Sequence, residues 1–216
     1  DRYKQVRTAA QMPAELPPQV RSLIQGMGAA AGPIQHVFET QDRKAVVTLS
    51  RESLTFKTTN YARWETFREP LENLRAVFEQ VYRPAFYSRV GLRYVDIIRR
   101  SMLDLNDVSW GELLKPWIGA ELTSTELGND IDQATSQTHC KLNGENAFLW
   151  LRTGIALAEP TKEKCFLIDC DFHTHKKTEI VNVTPVLDTF NRASGNLFRW
   201  AITDRLRVAV QPQSID

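Results

Sequence analysis

Apolar runs of membrane length are missing from this 216-residue chain. No stretch approaches the roughly 20 residues that cross a bilayer, so a membrane role has no support. Cysteine is scarce as well. The three present, Cys140, Cys165 and Cys170, are odd in number, and the last two face opposite ways on any strand that carries both, so they cannot pair there. Reduced thiols in a cytoplasmic protein are the expectation. A surplus of either charge sign is also absent: a net charge of +1 gives no field drawing the whole protein to DNA, RNA or anionic lipid, and nucleic acid is not an expected partner. No GxSxG elbow, HExxH pair, Walker loop, CxxC pair or kinase signature occurs, which leaves standard nucleophilic catalysis without a basis. Gly26, Gly28 and Gly32 cluster, but polar sequence precedes them and Pro33 with a strand-like run follows. Those are the wrong flanks for a phosphate-cradling loop.

What remains is an ordinary globular composition, 42% hydrophobic and 25% charged, on a chain long enough to bury a substantial core without disulfides. Residues 1–33 read as an N-terminal linker or the remnant of a trimmed first unit, rich in Pro, Gly and Ala from Met12 to Pro33. Residues 34–108 form a first half. In it IQHVFET, KAVVTLS and LTFKTTNY alternate as an antiparallel meander, and Trp64, Phe67, Leu71, Leu74, Phe78 and Val81 recur at helical spacing from about Arg63 to Tyr82. Pro70 is expected to kink or restart that helix. Phe86 to Arg99 then read as one long central strand, apolar on parts of both faces.

Residues 109–216 form the second half. Ser109 is placed to cap a short helix containing Trp110, Leu113, Leu114, Trp117 and Ile118. Strands follow near 131–142, 146–157 and 164–175, the first two joined by an Asn143-Gly144 hairpin signal. A last helix runs from about Pro185 to Val208, with Thr184 as N-cap and Pro185 at its first position. The fold class is therefore α+β: antiparallel sheet backed by long helices, in one form two pseudo-repeated strand-strand-strand-helix halves packed as one globular unit.

Two groups of residues could carry chemistry. In CFLIDCDFHTH, alternation puts Asp169, Asp171, His173 and His175 on one strand face, with Phe166, Ile168, Cys170 and Phe172 on the other. Two such neighbours can chelate one ion, with a third ligand drawn from His139, Asp130, Asp132 or Glu145. The bland alternative is a sheet whose polar face meets water. The second group is Arg89 and Arg93, four residues apart on one strand face with Gly91 between them, a groove for a carboxylate or phosphate. Its bland alternative is that each arginine pairs with a carboxylate on an adjacent element. Aromatics beside basic residues, such as Trp64 by Arg63 and Trp200 by Arg199, fall at helical spacing and read as core.

The run YRPAFYSRVGLRYVDII from Tyr82 to Ile98, together with NYARWETFREPLE, LLKPW, CFLIDCDFH and LFRWAITDRLR, resembles a sporadically distributed, uncharacterised family of bacterial proteins. The resemblance is collinear over nearly the whole chain. It implies a bacterial origin, an upstream strand and helix, and an accessory role in a defence or conflict system beside a partner protein encoded nearby, and it carries over no catalytic residue. The family pattern often has a histidine where this chain has Asn191. Two functions stand at this point. One is a non-catalytic binding protein, without cofactor, engaging an anionic ligand or acidic partner segment through Arg89, Gly91 and Arg93. The other is a metal-dependent hydrolase using Asp169, Asp171, His173 and His175 with a divalent metal such as zinc or manganese.

Overall fold

A computed structural model describes residues 3–7, 34–124, 126–128, 130–142, 146–158 and 160–210. The linker reading of 12–33 and the Asn143-Gly144 turn lie outside these residues. The chain divides into two compact units, Asp1–Pro84 and Ala85–Asp216, so the boundary falls at Pro84 and not at residue 108.

In the first unit, β1 (Tyr3–Arg7), β2 (Gln35–Thr40), β3 (Ala45–Ser50) and β4 (Leu54–Thr58) form a four-stranded antiparallel sheet in chain order. The expected meander is β2 to β4. β1 lies inside the segment read as linker and adds a fourth strand. Helix α1 (Trp64–Tyr82) follows, and Phe67 stacks on Phe56 of β4 at 5.1 Å between ring centroids. Pro70 sits inside this one helix without ending it. Arg83, in the left-handed region at φ 46°, closes it by donating its N–H to the Glu79 carbonyl.

In the second unit, β5 (Gly91–Arg99), β6 (Ala134–Lys141), β7 (Ala147–Ala158) and β8 (Glu163–Thr174) make an antiparallel sheet in the order β5-β8-β7-β6. Two helices, α2 (Trp110–Leu113) and α3 (Val183–Ala201), pack on the face carrying Phe166 and Phe172: Trp110 meets Phe166 and Phe190 meets Phe172, each at 6.0 Å. The fold is α+β, as composition and periodicity imply. The order of three strands then a helix recurs, as β2-β3-β4-α1 and as β6-β7-β8-α3.

Four local expectations change. The Phe86–Arg99 strand begins at Gly91 and closes one end of the sheet, because among the described residues it pairs only with β8. Its apolar side chains are buried on the even face, at Leu92 and Ile98, whereas Val95 and Ile97 on the odd face are exposed. α3 begins at Val183 with Asn182 as N-cap, so Pro185 lies at its third position and not its first. The last helix also breaks. Ile202 is extended and bridges Leu114, after which α4 (Asp204–Val210) resumes; LLKPW and LFRWAITDRLR therefore meet in space. Finally, α2 is a single turn with a Ser109/Glu112 capping box, and Trp117 lies beyond it, exposed, donating Nε1–H to the Trp200 carbonyl at 3.0 Å.

Candidate metal centre

Register brings the candidate side chains of three strands onto one face. Directly paired residues of antiparallel strands share a face, so Gly91, His173 and Phe148 form one row, while Arg93, Asp171, Trp150 and His139 form the next. Val95, Asp169 and Arg152 form a third. This face does not simply meet water: Asp169 and His173 are each 1% exposed and Arg152 is 2% exposed.

Asp169 is fully engaged. Arg93 grips it with a two-pronged fork, Nε to Oδ1 at 2.7 Å and Nη2 to Oδ2 at 2.6 Å, and Arg152 adds Nη1 to Oδ2 at 2.8 Å. Two guanidinium groups make up for the hydration this carboxylate loses on burial. Removing either one leaves a buried charge short of partners. Of the expected site residues, then, Arg93 and Asp169 serve each other. Arg152 was missed by the sequence reading, since nothing in its own segment marks it; only the β7–β8 register shows that it faces Asp169.

Arg89 is held more loosely. Its Nη2 lies 3.1 Å and 3.0 Å from the two oxygens of Asp171, and half of the side chain, 51%, remains exposed. Its guanidinium lies over Gly91: a Cβ there would stand 3.1 Å from Arg89 Nη1. The glycine does make room, but Arg89 itself occupies it.

The histidines converge. His173 Nε2 lies 3.1 Å from His175 Nε2, and His139, His173 and His175 offer one ligand atom each with all three inside 4.8 Å of one another. Three of the chain's four histidines thus meet. His173 Nδ1 lies 3.1 Å from the Asp171 carbonyl oxygen, which can only accept, so Nδ1 carries the proton and Nε2 turns its lone pair to the cluster. Burial pushes the His173 imidazole below its usual value against the pull of Asp171, which keeps it neutral, the form that ligates a metal. Both neighbours are exposed. His139 stacks on Trp150 at 4.2 Å, and His175 lies edge-on to Phe148 at 4.6 Å, so an aromatic wall on β7 backs them. The Asn146 side-chain oxygen accepts the His175 backbone N–H and fixes the chain where it leaves β8.

Among the other ligands weighed, Asp132 is exposed and pairs with Lys164 at 2.8 Å, Asp130 is not part of the cluster, and Glu145 lies outside the described residues. Asp171 is adjacent, its Oδ1 3.8 Å from His173 Nδ1, the nitrogen turned away from His175 Nε2. Of the four strand-face residues first considered, His173 and His175 come together with His139, while Asp169 and Asp171 answer arginines. No family model, curated protein or solved structure matches this chain.

Proposed function

We propose that this protein binds one divalent transition-metal ion of the zinc class through His139, His173 and His175. The observation that carries the reading is the convergence of the three imidazoles, with the tautomer of the buried one set by a backbone carbonyl. Zinc–nitrogen bonds of about 2.0 to 2.1 Å at a tetrahedral angle separate two donors by roughly 3.3 Å. The 3.1 Å between the His173 and His175 nitrogens fits, and the exposed His139 ring has to move inward by about 1.5 Å from the 4.8 Å limit of the cluster. Imidazole donors favour zinc over manganese, which prefers oxygen. Three protein ligands leave a coordination position open, the arrangement that lets a metal polarise an oxygen or activate water, so hydrolysis is the reaction class the centre suits.

Elemental analysis of desalted, zinc-treated protein is expected to give one zinc per chain, with a rise in Tm. H139A and H175A, both at exposed positions, should keep the metal-free unfolding free energy within about 0.5 kcal/mol of wild type and weaken zinc binding at least tenfold. Wild-type protein that retains no zinc, or variants that bind it equally well, would sink the reading. Membership of the bacterial family, and with it a partner protein, is proposed on the likeness of the quoted motifs alone.

A further inference from the structure

We propose that the open position of this centre takes an oxyanion of the phosphate or carboxylate type, and that Arg89 is the residue that binds its second oxygen. The inference rests on the metal reading and adds the ligand class. Its ground is placement. Gly91 pairs directly with His173, and the Arg89 guanidinium lies over Gly91 on the face that His173 shares. Directly paired positions hold their Cβ atoms about 4.5 to 5.5 Å apart, so the guanidinium stands beside the His173 imidazole.

The guanidinium also has capacity to spare. Only Nη2 is committed, to Asp171; among the described residues Nη1 and Nε make no hydrogen bond. Arg93, by contrast, has given both prongs of its fork to a buried carboxylate. The half-exposed arginine and the two exposed histidines open to the same solvent, giving an anion a route in. A divalent cation carried by three neutral ligands keeps its full charge, and a planar fork beside it completes a two-point anion site.

The test uses the full chain loaded with cobalt(II), desalted, and titrated with inorganic phosphate while the visible absorption of the metal is followed. Wild type is expected to show a saturable change. R89A should begin from the same spectrum, because the metal is still held, and need at least ten times more phosphate for half-saturation. Since R89A also uncovers the Asp171 charge, R89A/D171N is measured beside it and is expected to stay weak. Recovery of wild-type affinity in the double variant would mean that Arg89 only screens Asp171, and the proposal falls. Equal phosphate affinity in R89A overturns it too, with the metal reading intact; failure to take up cobalt or zinc at all overturns both.

Discussion

Asp96 shows how much one side chain can cost. It lies on the β5 face where the Tyr94 hydroxyl donates to Asn191 of α3 at 2.9 Å, and among the described residues its carboxyl has no hydrogen-bond partner or counter-ion. Burial pushes that carboxyl up to about 6, from an ordinary 3.8. The thiol of Cys170, itself raised by burial, faces it and supplies no compensating charge. Between pH 3.8 and 6 the folded chain binds more protons than the unfolded one, so this group's contribution is fully present below the lower value and is lost as pH rises through the upper. Asp96→Asn should therefore stabilise the protein at pH 7 by about 2 kcal/mol and do almost nothing at pH 3.5. Urea unfolding at both pH values checks this; equal midpoints for wild type and variant at pH 7 would refute it. At this scale alternation alone placed Asp169, Asp171 and His173 on one face. It could not say that Arg152 and Arg93 share Asp169, because that depends on pairing registers set by loops whose lengths carry no parity signal of their own.

Among the elements, the strands were the most legible and the helix ends the least. β6, β7 and β8 fall within three residues of their expected limits, with a turn signal in the sequence between the first two. α3 and α4 read as one helix, since the apolar spacing runs through Ile202; the break comes from the β-bridge between Leu114 and Ile202, a tertiary contact no local pattern records. Gly154 is a similar case. A Cβ there would lie 2.1 Å from the Ala134 carbonyl oxygen, because the start of β6 crosses close over β7. Gly154→Ala should therefore force the two strands apart and cost about 1 to 3 kcal/mol, read as a lower urea midpoint. An unchanged midpoint would show that the crossing relaxes freely.

At the scale of the molecule, the chain divides into two compact units, Asp1–Pro84 and Ala85–Asp216. Every group of the candidate centre, from Arg89 to His175, belongs to the unit Ala85–Asp216, which has its own four-stranded sheet and the helices α2 to α4. Residues 85–216 expressed alone should therefore unfold in one cooperative transition and bind zinc with the stoichiometry of the full chain. Loss of the transition would show that this unit depends on residues 1–84. The position of the boundary was hidden because β5, which follows α1 directly in sequence, pairs with a strand more than 60 residues further on.

The ion pairs between β5 and β8 bear on a question that burial cannot answer. Alternation is blind to a slip of two residues, since every apolar side chain keeps its face. Such a slip draws the Arg93 fork off the geometry it holds with Asp169, a carboxylate buried too deeply for water to take the place of the lost bonds. The paired charges thus hold information that apolar packing lacks. They count residues along the strand, and the arginines that looked like a binding groove also act as its ruler.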